Sequence, residues 1–339
     1  MPLRSKKLTP AQQRILEERF GVGVPEYKDD PSDPQHVTSY HSYAPENDVT
    51  RHISGVISEH SVTKETNLSS GLIISRQDFD ARNRQIEQDF KTAIPEYDRL
   101  SIEVRTGLAS FGRSSASFAT TLLVSGSARL SDAGAYRQAF LTYTLDKVFG
   151  EIGVCTQVLG FTTKTDLVPL LREKWKKDGE PADPGRTSDL RHIVLKSWSG
   201  HDPFAGILVG GGGPDNHLRK NSVTGEALLW AESLEGITRN IHHHLIVLIG
   251  PEIPHDQFTN VDNKEPSYLV GHLRLVAHQL GRKKDVTLLS IDCGKVRDES
   301  SGSIISKSFD FTDKVMDKVH TPGEILRSVS NSSLVFNVG

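Results

Sequence analysis

Leu245-Ile246-Val247-Leu248-Ile249 is apolar at every position, and the reading of that short run decides the fold. A strand with one wet face alternates apolar and polar residues; a strand covered on both faces by helices does not need to. Working outward, three more runs share this texture. Thr120-Thr121-Leu122-Leu123-Val124 ends in Ser125-Gly126-Ser127, Val154 to Leu159 forms a second, and Val286 to Ile291 closes the series. Amphipathic stretches separate them. Ala133 to Phe149 is of helix length; Ala227, Trp230, Ala231 and Leu234 fall on one helical face, as do Leu269, Leu273, Val276 and Leu280. Strand and helix in alternation predict an α/β domain with a doubly wound, mostly parallel sheet flanked by helices, over residues 119–335.

Upstream the pattern thins. Thr9-Pro10 suits the start of a short helix with Ile15, Leu16 and Phe20 on its apolar side. From Pro25 to Glu65 the chain is rich in Asp, Ser, His and Pro with neither helical nor strand period, so residues 1–75 read as an extended or partly disordered arm suited to wrapping a neighbour. Residues 76–118 read as a helical linker region. Its Arg76 to Lys91 stretch carries a thin stripe of Phe79, Ile86 and Phe90, and a Ser-rich segment follows from Ser110 to Ser117.

Composition excludes more than it names. A net charge of −3 over 339 residues offers no basic footprint for nucleic acid. No window approaches the roughly 18 apolar residues of a membrane-spanning helix, and the basic N-terminus lacks a secretory signal's apolar stretch. Cys155 and Cys293 sit in strand-like runs away from any CxxC pattern, as free thiols in a reducing compartment would. A cytoplasmic protein is the expectation.

Several blocks then resemble a known family. Val158-Leu159-Gly160-Phe161-Thr162-Thr163 is followed by Arg172-Glu173-Lys174-Trp175, by Gly179 to Arg186, and by Asp189-Leu190-Arg191-His192-Ile193. Gly225-Glu226-Ala227-Leu228-Leu229-Trp230-Ala231 and Tyr268-Leu269 with His272-Leu273-Arg274 come after them in order. Together, over about Thr120 to Ser330, they are similar to the C-terminal von Willebrand A (VWA) domain of the cobaltochelatase CobT subunit.

That resemblance implies a Mg²⁺ site built from a D-x-S-x-S strand end, a Thr from a later loop and an Asp from another. In this chain the strand end reads Ser125-Gly126-Ser127-Ala128-Arg129. Counted without a gap, Ser125 stands at the Asp position and Arg129 at the second Ser; counted with a two-residue deletion, Ser125 and Ser127 are the serine pair. Both registers lose the carboxylate. Pro251 stands in the acidic position of the last loop, one residue before Glu252, and Thr224 keeps a hydroxyl. Ser125, Ser127 and Thr224 therefore make a degenerate metal site. Mg²⁺ wants six oxygens with carboxylate charge among them, so the expectation is no bound cofactor.

Other features have plain readings. His242-His243-His244 leads into a strand, where adjacent side chains face opposite ways and chelate poorly. Gly210 to Gly213 is a loop, with no Gly-Lys-Ser/Thr after it. Ser127 lacks the flanking glycines of a nucleophile elbow, and no catalytic residues emerge. The charged block Arg186, Asp189, Arg191, with Glu226, is read either as a solvated loop or as a partner-docking surface.

The resemblance implies a non-catalytic subunit, the adaptor to an AAA+ ATPase of the MoxR-like small-subunit type, with a large chelatase subunit as a further partner and cobalt insertion as the process. The alternative is a diverged, even virus-encoded, VWA scaffold acting as a structural or interaction protein, with self-association into a homo-oligomer as its mode of assembly.

Overall fold

The computed structural model describes residues 40–43, 45–62, 72–109, 114–127, 130–164, 169–198, 200, 203–209, 220–234, 241–251, 254–293, 308–310 and 321–331. The readings placed on residues 1–39, on Gly210 to Gly213, and on Arg129 and Glu252 lie outside them.

Seven strands form the main sheet: β1 (Val49–His52), β4 (Phe118–Ser125), β5 (Cys155–Thr163), β6 (Leu190–Lys196), β7 (His243–Ile249), β8 (Val286–Asp292) and β9 (Ser308–Asp310). A separate pair, β2 (Ile57–Ser58) and β3 (Ile74–Ser75), lies side by side in parallel. The main order is β1-β6-β5-β4-β7-β8-β9, parallel at every pairing except β5 with β6. Reading from β4, the chain builds to one side through β5 and β6, then returns to build the other side from β7. The reversal of winding between β4 and β7 is the switch point at which doubly wound sheets bind their ligands.

The all-apolar runs behave as buried parallel strands should. Along β7, Leu245, Val247 and Ile249 enter one core while Ile246 and Leu248 enter the other. The β4 strand does the same, with Leu122 and Val124 on the first face and Leu123 on the second. The first core is covered by α1 (Arg76–Thr92), α2 (Ile94–Ala109), α3 (Asp132–Glu151), α5 (Ala205–Leu208) and α9 (Pro322–Asn331); the second by α6 (Thr224–Ser233) and α8 (Tyr268–Gly281). The remaining helices, α4 (Leu170–Lys177) and α7 (Gln257–Asp262), sit in the loops beyond the sheet.

The described part of the N-terminal third packs on the domain. The segment expected to be a helical linker supplies α1 and α2, whose Phe79, Ile86, Tyr97, Leu100 and Val104 are buried in the first core. Ser75 caps α1 by accepting the Asp78 amide at 3.1 Å while donating to its carboxylate at 2.6 Å. Within the expected arm, the described residues 40–62 lie against the domain itself: β1 joins the sheet edge and Val56 is fully buried. Short segments without a hydrophobic period gain order here from partners distant in sequence, which periodicity does not report.

Among the described residues no helix is long and apolar enough to cross a membrane. His243 and His244 point to opposite faces, toward Thr287 Oγ1 at 2.8 Å and Thr121 Oγ1 at 2.7 Å. Cys155 and Cys293 are free thiols.

Candidate functional site

The switch point is built from the ends of β4 and β7. Helix α3 reaches over it: the Gln138 amide donates to the carbonyls of Ser125 at 2.9 Å and Ile249 at 2.8 Å, tying the two strand ends together. Gly250 follows β7 with φ of +133°, and a Cβ there would meet Gln138 Nε2 at 2.6 Å and Ser125 Cβ at 2.9 Å. Only glycine combines that backbone conformation with so close an approach.

Beyond Ser125 the chain bends into a strip shared with residues 220–222. The Gly126 amide donates to Phe161 O at 2.8 Å, Ser127 pairs with Lys220, and Thr162 Oγ1 donates to Gly126 O at 2.8 Å. Four residues after Lys220 comes Thr224, the first residue of α6. The three hydroxyls singled out from the sequence thus lie on adjacent segments beyond the end of β4, and all three residues are fully buried. Ser125 Oγ and Thr224 Oγ1 have no hydrogen-bond partner among the described atoms.

The donor set does not fit Mg²⁺. It comprises neutral hydroxyls, and Pro251 is itself buried in the acidic position. The carboxylate joined to this strip, Asp256, is fully buried with both oxygens engaged, one by Asn221 Nδ2 at 3.0 Å and the other by Thr259 Oγ1 at 2.5 Å. Burial raises its pKa, so it is a structural acceptor rather than a spare ligand. Among the described residues no group of three His, Cys, Asp or Glu is arranged to hold a metal ion. Hydroxyl oxygens alone do not compensate the stripping of water from a divalent cation.

The charged block turns inward. Arg186, Asp189 and Arg191 are 0–1% exposed, so they do not present the docking surface read from the sequence; of the four, only Glu226 retains appreciable exposure, at 21% of its side chain. Asp189 and Arg186 have internal work. Asp189 accepts the Leu170 and Leu171 amides at 2.9 and 3.3 Å, capping α4 from a distance. Burial raises its pKa against those amides, which lower it. Arg186 is held between Glu226 (Nε to Oε1, 2.6 Å) and Asp48 (Nη1 to Oδ1, 3.0 Å), and also donates to Ser188 O. Burial alone would lower the Arg186 pKa, but the two carboxylates outweigh it and raise it. Arg191 is pulled down to about 10, first by burial and then by Arg51. A long polar side chain in sequence does not reveal that loops from several elements will close over it.

Sequence reasoning missed what fills the groove beside this network. Tyr40 lies flat against His272, ring centroids 3.4 Å apart and planes 1° from parallel, with Tyr268 on the same stack at 5.5 Å. Its hydroxyl donates to Glu226. Burial followed by the Glu226 charge raises the Tyr40 pKa well above its usual value. His272 is pushed down to about 4 by burial. Asp48 completes the set by accepting the Leu190 amide at 2.7 Å. The signals present in the sequence were Gly225 and His272, inside the two helix motifs; Tyr40 and Asp48 lie in unpatterned chain.

The family model described as the cobalamin biosynthesis protein CobT VWA domain covers residues 118–300, which begins at β4 and runs past β8.

Proposed function

From the premise that the chain belongs to the CobT VWA-domain family, we propose that it is a non-catalytic adaptor, coupling an AAA+ ATPase partner to a chelatase-type step in cobalamin biosynthesis. The observation that carries this reading is the family match over the VWA core, from β4 past β8. Among the described residues Ser125 Oγ and Thr224 Oγ1 have no base hydrogen-bonded to them, so neither is an activated nucleophile. Work is left to the surfaces, and nucleotide chemistry to a partner, since this sequence carries no phosphate-cradling Gly-Lys-Ser/Thr motif.

The test is retention of the full chain on an immobilised MoxR-like AAA+ ATPase with ATP, with ADP and without nucleotide. ATP-stimulated association supports the adaptor reading. Nucleotide-blind binding, or self-assembly in place of binding, favours the second reading, a VWA scaffold turned to a structural or interaction role. The loss of the carboxylates is the observation on that side.

A further inference from the structure

The match to the VWA family spans residues 118–300, yet a groove within it is filled by a segment from outside it. Residues 40–52 contact the domain at four places. Tyr40 stacks on His272 and bonds Glu226; Ser42 pairs with Arg186 through Tyr43 N to Arg186 O at 3.1 Å and Arg186 N to His41 O at 2.8 Å. Asp48 meets the Arg186 guanidinium and the Leu190 amide, and β1 then runs parallel to β6 from Val49↔Arg191 to His52↔Val194. Main-chain pairing supplies the affinity of an added strand, and side-chain anchors its specificity.

The receptor side is built without the segment's help. Asn263 holds Gly185 from both sides, accepting its amide at 3.2 Å and donating to its carbonyl at 2.6 Å. Gly185 has φ of +69°, and a Cβ there would meet His41 O at 2.3 Å, so the backbone of the loop lies bare where the segment passes. Asp262 anchors the same region, receiving Arg172 on both oxygens at 2.8–3.0 Å and Thr187 Oγ1 at 2.8 Å. Across the groove, Gly225 lets the His272 ring stand against α6.

The occupant is attached mainly at its ends, Tyr40 packing on the small cluster of Leu190, Val223, Tyr268 and Leu269. In β1, Thr50, Arg51 and His52 are exposed and Val49 is only half-buried. The first residue to enter the first core is Val56. Retention of residues 40–52 therefore rests on the Tyr40 contacts, the Ser42–Arg186 pairing, the Tyr43 hydroxyl on Asp178 at 2.8 Å, the Asp48 ion pair and a short edge ladder.

We infer that the groove between β6, α6 and α8 is a peptide-binding site for extended segments bearing a tyrosine and, eight residues later, an aspartate leading into a strand, with residues 40–52 as its displaceable resident. The site recognises the aromatic ring by the His272–Tyr268 face, the hydroxyl by Glu226, the carboxylate by Arg186, and the backbone by the β6 edge. A partner segment of this chemistry competes with the resident, and its apparent affinity is the intrinsic one multiplied by the fraction of molecules in which the groove is open.

The experiment uses the full chain and a fluorescein-labelled synthetic peptide of residues 40–54, read by anisotropy. The double variant Tyr40→Ala, Asp48→Ala is expected to bind the peptide saturably and at least about tenfold tighter than the wild type, whose groove is already filled. A peptide with alanine for its tyrosine is expected to lose that binding. No binding to a double variant that keeps its circular dichroism spectrum, or equal binding to wild type, overturns the proposal. If the double variant does not fold, native-state hydrogen exchange of the wild type decides. Tyr43 and Arg186 amides exchanging through an opening below the global one support a displaceable segment, and protection equal to that of Leu122 and Leu248 overturns it.

Discussion

The imidazole of His272 is clamped between Tyr40, whose ring lies 3.4 Å from it, and the bare α-carbon of Gly225. An added Cβ at Gly225 would stand 2.5 Å from His272 Nδ1 and 2.8 Å from Cε1. Both belong to blocks that carry the family resemblance, and their contact explains why glycine stands in the first turn of α6.

Gly225→Ala is accordingly expected to destabilise the fold by about 1–3 kcal/mol, the cost of overpacking a site that cannot relax on either side. Gly150→Ala, near the end of α3, has nothing within 4 Å of its added Cβ and is expected to stabilise by up to about 1 kcal/mol. Urea unfolding midpoints at constant slope measure both.

Arg186 carries two carboxylates, Asp48 and Glu226, in a fully buried position. Arg186→Met is expected to cost about 3 kcal/mol or somewhat less, since the stranded carboxylates each keep some solvent. Arg186→Lys is expected to recover less than half of the loss, because an ammonium does not reproduce the forked geometry that serves both partners. Thermal denaturation of the variants beside wild type checks the order.

Acid is expected to weaken the protein in a defined window. His192, His244 and His272 are each pushed down from 6.5 to about 4, in every case by burial first. The unfolded chain takes up these protons below about pH 6.5 and the folded chain does not until about pH 4. The stability is therefore fully present above 6.5 and is lost as pH falls toward 4, by on the order of 3 kcal/mol for each histidine at most. Asp189 and Asp256, raised by burial, work in the opposite direction at the acidic end. Melting temperature against pH should fall across that window, and His192→Asn should flatten the descent.

Titration calorimetry with Mg²⁺ or Mn²⁺ is expected to give no sub-millimolar binding, because the strip formed by Ser125, Ser127 and Thr224 offers hydroxyls where charge is needed. Sub-millimolar binding that Thr224→Ala abolishes would overturn that reading of the switch point.

The sheet could be read because its signal is local. Leu245 to Ile249 and Thr120 to Val124 announce strands wet on neither face, and the β7 run extended only to His243 in the structure. The next strand to the side, β6, was not legible as one: its first residues Leu190-Arg191-His192 carry charge and alternate burial imperfectly, and its pairing with β1 depends on chain 140 residues away. The hydroxyl strip was legible because motif order marks it. Gln138, Lys220 and Asp256, which shape it, have no local pattern to give them away.

The sequence by itself determined the alternation of buried strands and amphipathic helices, and that Ser125-Gly126-Ser127 rather than an acidic residue follows the apolar run of β4, since both depend on residue type at fixed spacing. Only the tertiary structure decided that Arg186, Asp189 and Arg191 face inward and that Tyr40 and Asp48 close over them. Burial of a charge depends on which distant segments arrive to pay its desolvation, and spacing along one segment holds no record of that.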